Sequence, residues 1–119
     1  SPGAIEAPFI VRRGEWYYLF ASYDFCCRGV NSTYHTRVGR SATVDGPYVD
    51  AAGKALLEDG GTMVLEADDR WKGPGHCAVL GEGDAWHIVY HAYDAENAGR
   101  PTLRVRTLGW SEDGWPKAV

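Results

Sequence analysis

Apolar and polar positions alternate along this chain in short runs, and no stretch carries a helical period. The runs are Ala7–Val11, Trp16–Ser22, Thr33–Gly39, Thr62–Leu65, His76–Leu80, Trp86–Ala92 and Leu103–Leu108. Turn chemistry separates them at Arg13-Gly14, Asp45-Gly46-Pro47, Asp59-Gly60-Gly61, Gly73-Pro74-Gly75, Gly81-Glu82-Gly83-Asp84 and Asp113-Gly114. Brief alternating segments punctuated by Gly, Pro and Asp predict an all-β fold.

The order of the runs repeats. Trp16-Tyr17-Tyr18-Leu19-Phe20-Ala21-Ser22-Tyr23-Asp24 aligns with Trp86-His87-Ile88-Val89-Tyr90-His91-Ala92-Tyr93-Asp94, an offset of 70 residues that also carries Gly39 onto Gly109 and Ser41 onto Ser111. Each copy closes on a Gly/Pro/aromatic turn, Gly46-Pro47-Tyr48 in one and Gly114-Trp115-Pro116 in the other. Each therefore reads as a four-stranded antiparallel meander, with residues 1–59 forming one and 60–119 the next. Repeated meanders of this kind build β-propellers, in which every blade leans on its neighbours. Two blades do not close a ring, so the expectation is a partial propeller whose remaining blades lie upstream. The alternative is a two-sheet sandwich of the same strands. The same offset sets Glu6 opposite His76, where the innermost strands begin at the mouth of the axial channel. Two titratable residues there are poor core choices, because an unpaired buried charge is costly; they read as parts of a site.

Composition changes the picture in three ways. A net charge of −4 with scattered basic residues argues against nucleic acid. Arg12, Arg13, Arg37, Arg40, Arg104 and Arg106 read as solvated strand faces. No run approaches the ~18 apolar residues of a membrane span, so no membrane partner is expected. Five Trp and seven Tyr are a heavy aromatic load, read mainly as β-sheet packing and in part as surfaces that stack on sugar rings. Cys26, Cys27 and Cys77 are odd in number and form no C-x-x-C pair, so buried free thiols are expected.

At Ile5-Glu6-Ala7-Pro8-Phe9 the sequence begins to resemble glycoside hydrolase family 43, within it the endo-1,5-α-L-arabinanases. The likeness runs on through Tyr23-Asp24-Phe25-Cys26-Cys27-Arg28-Gly29-Val30-Asn31-Ser32-Thr33-Tyr34, Val38-Gly39-Arg40-Ser41 and Gly46-Pro47-Tyr48-Val49-Asp50. It resumes at Gly60-Gly61-Thr62, Gly73-Pro74-Gly75-His76, Tyr90-His91-Ala92-Tyr93-Asp94 and Pro101-Thr102-Leu103-Arg104. The resemblance implies a five-bladed propeller with a substrate cleft across the channel mouth, and arabinan as the polysaccharide cleaved. It also implies inverting hydrolysis by three carboxylates, of which Glu6 matches the general acid. The two Asp residues lie in blades before this segment. His76 matches a histidine close to a metal ion, commonly calcium, at the channel axis. Calcium prefers oxygen ligands, so contact through bound water is the expected mode, against a channel histidine that touches no ion. Cys77 departs from the Asn or Ser expected after that histidine. The family implies an extracellular or periplasmic enzyme.

The chemistry is consistent with that assignment. An inverting acid keeps its proton near neutral pH through desolvation or a neighbouring carboxylate, and Ile5, Ala7, Pro8 and Phe9 make an apolar setting for Glu6. Arg28, Asn31 and Ser32 form a polar loop after the second run, suited to lining a cleft or to bonding within the loop. His91 reads as a satisfied core histidine, and Asp24 and Asp94 as turn caps. Exo-acting arabinofuranosidases or β-xylosidases of the same family, and a non-catalytic carbohydrate-binding propeller, are the competing functions.

Overall fold

The computed structural model describes residues 3–119. Among them run β1 (Ile5–Arg13), β2 (Trp16–Tyr23), β3 (His35–Ser41), β4 (Thr62–Leu65), β5 (Trp71–Glu82), β6 (Ala85–Asp94), β7 (Arg100–Trp110) and β8 (Pro116–Ala118). Single 3-10 turns lie at Gly29–Asn31, Leu56–Glu58 and Ala95–Asn97. Strands β1 to β4 form one antiparallel sheet and β5 to β8 a second, each in chain order. No strand crosses between the sheets, as the Greek-key connections of an immunoglobulin-type sandwich would require. The all-β expectation of two four-stranded meanders therefore holds.

The boundary between the meanders is corrected. Strand β4 lies beyond residue 59 yet pairs with β3, Arg37 opposite Met63 and Val38 opposite Thr62, so the sheets divide between Leu65 and Trp71. The reason is an excursion after β3. Val49 makes isolated bridges to Arg40 and Ala55, and Asp50 gathers the N–H groups of Ala52, Lys54 and Gly61 on its carboxylate. Only then does the fourth strand begin. In the second sheet the fourth strand follows its turn directly, Trp110 opposite Pro116.

The 70-residue offset holds for β2 against β6 and fails on either side. Tyr17 faces Ser41, whereas its counterpart His87 faces Thr107, not Ser111. On the inner strands, β1 has one register shift, between Glu6 and Phe9, and β5 has two. Glu6 pairs with Ser22; the counterpart of Ser22 is Ala92, which stands against the irregular stretch between Lys72 and Gly75. Glu6 and His76 are thus not equivalent ladder positions: Phe9 faces Phe20, but Val79 faces Ile88 and not Tyr90, so β5 is already slipped by two residues on the hairpin side of its bulges, and His76 lies within the second of them.

The core lies between the sheets. Tyr18, Phe20, Val38, Val64 and Leu65 of the first meet Cys77, Val79, Ile88, Tyr90, Ala92, Leu108 and Ala118 of the second. All five Trp pack against this cluster, so sheet packing accounts for each of them. Polar ties close its margin. The Tyr18 hydroxyl donates to the Gly114 carbonyl at 2.7 Å. The Arg40 guanidinium lies 4.2 Å from the Trp16 ring and 4.4 Å from that of Trp115, and donates to the Asp113 carbonyl. Arg13, Arg37 and Arg104 lie likewise over Trp110, Tyr23 and Trp71. These four arginines are aromatic clamps, correcting the reading of plain solvated faces, since a weakly hydrated guanidinium stacks on a ring at little desolvation cost.

Each sheet's opposite face carries exposed apolar side chains, Ile10 on the first and Leu80, Leu103 and Val105 on the second. Only the shared face is fully buried. Phe20, with no exposed surface in that face, is expected to cost about 3–5 kcal/mol when cut to Ala. Tyr18→Phe, which removes one bond between sheets, is expected to cost about 0.5–1.5 kcal/mol. Chemical denaturation of the two variants checks both size and order.

Candidate active site

The residues singled out for chemistry gather at one end of the junction, where β1 and β5 are irregular and β2 and β6 finish. Glu6 is exposed, and its Oε2 accepts the Tyr34 hydroxyl at 2.7 Å. Its ladder partner Ser22 is fully buried and accepts the backbone N–H of His76 at 2.7 Å. One serine on β2 therefore ties the strand of the carboxylate to the strand of the imidazole. His76 itself is exposed with a left-handed backbone, φ 54°, as a bulge that turns a side chain out of the ladder requires. The apolar neighbours of Glu6 leave its carboxylate in the open instead of covering it.

Behind Glu6 stands a row of aromatic groups that connects the two sheets. Tyr34 is buried, and His91 of β6 stacks on its ring at 5.9 Å with the planes 14° apart. His76 lies 6.4 Å from His91 on one side, and Tyr93 meets the His91 ring edge-on at 5.5 Å. The Tyr93 hydroxyl oxygen accepts the Cys27 N–H at 2.7 Å. Pockets flank the row. One of about 230 Å³ is lined by Ile5, Glu6, Pro8, Leu19, Tyr23 and Leu56 among others. A wider one of about 520 Å³ is bounded by Cys27, Gly29, His91, Tyr93, Gly99 and Pro101.

Electrostatics follow from these positions. Burial, and then the hydrogen bond to the Glu6 carboxylate, push the Tyr34 phenol up to about 12, with Ser22 opposing. Burial and then the nearby His76 hold His91 below its ordinary value of 6.5, against a smaller pull from Glu6, so its imidazole is neutral at pH 7. His91 Nδ1 is buried without a partner among the described residues. This corrects the reading of a satisfied core histidine: Ile88, Tyr90 and Ala92 face the core, and alternation along the strand turns His91 and Tyr93 the other way.

The loop after β2 also departs from expectation. Cys26 and Cys27 are joined in a disulfide between adjacent residues, correcting the expectation of free thiols for this pair. The backbone is not extended here; Cys27 has φ 72°, which removes the opposed side-chain directions of a strand. Cys77 is buried and free as expected, its thiol pushed up to about 12 by burial. Arg28 is exposed and stacks over Phe25 at 4.6 Å, and Asn31 is exposed beside it. Ser32 is buried, and its hydroxyl accepts the Arg28 N–H at 3.0 Å, so it closes the loop from within. Asp94 caps the turn after β6 through the Glu96 N–H and pairs with Arg70, as a turn cap should. No three His, Cys, Asp or Glu side chains converge on a metal position among the described residues. These residues alone do not form the six to eight oxygen ligands that calcium takes; His76 would meet such an ion through water.

Residues 1–116 match the family described as Glycosyl hydrolases family 43. The chain belongs to glycosyl hydrolase family 43. This family 43 chain is 47% identical over 114 residues to the extracellular endo-α-(1→5)-L-arabinanase 1 of Bacillus subtilis, covering 96% of the chain and 34% of that relative. It is 43% identical over 113 residues to the extracellular exo-α-(1→5)-L-arabinofuranosidase ArbA of Cellvibrio japonicus, covering 95% and 33%. The structure of the Cellvibrio cellulosa α-L-arabinanase complexed with arabinohexaose superposes with a TM-score of 0.93 at 43% identity, covering 97% of this chain and 36% of that one. The chain thus spans about a third of the length of these relatives. Family 43 arabinanases are β-propellers, so the two sheets are propeller blades.

Tyr34, His91 and Tyr93 were not singled out as site residues by sequence pattern. The signal available was the alternation in Tyr90-His91-Ala92-Tyr93, which sets a histidine and a tyrosine opposite the core face. The raised phenol has a definite pH sign. Its folded value lies above the ordinary 10.0, so the stabilisation it reflects is complete below about 10 and is lost as pH rises through about 12. Spectrophotometric alkaline titration should show a late phenol that disappears in Tyr34→Phe and moves to lower pH in Glu6→Gln, where the carboxylate charge is gone.

Proposed function

We propose that this chain is the acid-bearing part of an inverting, extracellular enzyme that hydrolyses α-1,5-linked L-arabinan, and that Glu6 is its general acid. The observation that carries the reading is the setting of the Glu6 carboxyl. It stands exposed at the end of the blade junction, with Oε2 held by Tyr34 and Oε1 without a hydrogen bond among the described residues. A carboxylic acid held this way has one oxygen fixed and the other able to carry a transferable proton. As the bond between the anomeric carbon and the glycosidic oxygen breaks, Glu6 gives that proton to the departing oxygen. A water activated by a second carboxylate attacks from the opposite face and inverts the centre. Inverting carboxyls stand about 6.5–9.5 Å apart to admit the water. The likeness to relatives named for arabinan cleavage supports the substrate. Arg28 and Asn31 line the approach, and His76 contributes from the channel side, through bound water where an ion is present.

Cleavage within the chain is the leading mode. The likeness to the Cellvibrio exo-arabinofuranosidase favours release from chain ends as a second reading, and the size distribution of early products separates the two. The base is proposed to belong to blades outside these residues, so the purified 119-residue chain is expected to release no oligosaccharide from linear arabinan. Measurable release would overturn that assignment.

The acid role is tested in a full-length enzyme containing this segment by comparing leaving groups. A sugar hydroxyl departs only when protonated, and general acid catalysis contributes about 10²–10⁴-fold. A nitrophenol departs without help. Glu6→Gln is expected to lose that factor in kcat/KM on arabinan while keeping most activity on an aryl arabinoside. Equal loss on both would remove Glu6 from the acid role.

A further inference from the structure

We infer that Tyr34 is a positioning residue for the Glu6 acid, and that His91, reaching across from the second blade, holds Tyr34 in register. The inference rests on the proposed role of Glu6 and adds to it the means by which the acid is aimed. Glu6 is exposed on an irregular strand and takes no ion pair among the described residues. Among the described residues, the hydrogen bond from Tyr34 is therefore what directs its carboxyl.

The phenol is suited to that task. Its ring is buried and its hydroxyl reaches Oε2 at 2.7 Å. It keeps its proton far above neutral pH, so it remains a donor there. The ring has a prepared seat: a Cβ added at Gly75 would overlap the Tyr34 ring, so the glycine is the space that admits it. His91 covers the ring at 5.9 Å with nearly parallel planes, and Tyr93 supports His91 edge-on. Tyr93 is in turn fixed by the N–H of Cys27, within the disulfide loop. The aim of the acid is thus set by residues of both blades.

The test uses leaving-group dependence, because a loss of general structure lowers turnover of both substrates alike. Wild type, Glu6→Gln, Tyr34→Phe and His91→Ala are made in a full-length enzyme containing this segment. Each is assayed on linear arabinan and on a nitrophenyl arabinoside, with thermal melting as the check on folding. Tyr34→Phe keeps the ring in its seat and removes only the hydroxyl. It is expected to lose roughly 10–10²-fold in kcat/KM on arabinan, the size of a small misplacement of a reacting group, and to retain the aryl activity. His91→Ala is expected to show the same split with a smaller loss. If Tyr34→Phe leaves arabinan cleavage unchanged, or lowers both substrates equally, while Glu6→Gln still shows the split, the positioning role is overturned and the acid role stands. If Glu6→Gln itself shows no split, the acid role fails and the present inference falls with it. If Tyr34→Phe melts below the assay temperature, His91→Ala decides: equal loss on both substrates overturns the inference.

Discussion

Each sheet here has two apolar faces and one neighbour, and the rest of the structure follows from the single face the two share. Phe20, Val38, Ile88 and Tyr90 are almost wholly removed from water between the sheets, which supplies the main gain that holds the blades together. The tryptophans and the arginines over them extend that seam outward to the hairpin turns. Because the seam is buried, polar groups along it must find partners across it. Ser22 with His76, and Thr36 with the Pro74 carbonyl, are the partners found at one end.

The site forms where the seam loosens. The ladders of β1 and β5 both break near this end, and a bulged strand is free to turn a side chain that a regular one would bury. Glu6 and His76 are delivered by those irregularities, from different ladder positions on different blades. The aromatic row behind them is the opposite in character: ring against ring, buried or half-buried, and secured at one end by the Cys27 N–H on the Tyr93 hydroxyl. An exposed carboxyl is backed by a packed wall of rings, the arrangement that the proposed acid role calls for.

Much of the fold was legible because its causes are local. Alternation at Trp16–Ser22 and Trp86–Ala92 marks strands that are strands, and the turn at Asp113-Gly114 is followed at once by β8. What escaped depends on register and on distance in sequence. The register of β5 on β6 leaves no mark in composition, so an offset that is right for β2 and β6 gave a false equivalence for Glu6 and His76. The excursion around Asp50 resembles an ordinary loop until its hydrogen bonds delay β4 past residue 59. Glu6 stands out through its motif and its role is a proposal, whereas Tyr34 and His91 stand 57 positions apart in the chain and acquire meaning only when the sheets bring them ring to ring. The disulfide at Cys26 and Cys27 escaped because no spacing motif marks it and it depends on a left-handed residue at Cys27.

The stacking of Tyr34 on His91 bears on how such enzymes diverge and can be recombined. Blades look like interchangeable modules, and the break between Leu65 and Trp71 looks like a natural seam for exchange. Yet the carboxyl proposed as the acid sits on one side of that seam and part of its proposed support on the other. A chimaera joined there inherits a carboxyl aimed by a tyrosine whose backing ring comes from a different parent. Such hybrids would keep their architecture and lose their accuracy, unless the two aromatic positions travel together. The unit of inheritance for this chemistry is the boundary between blades, and not the blade.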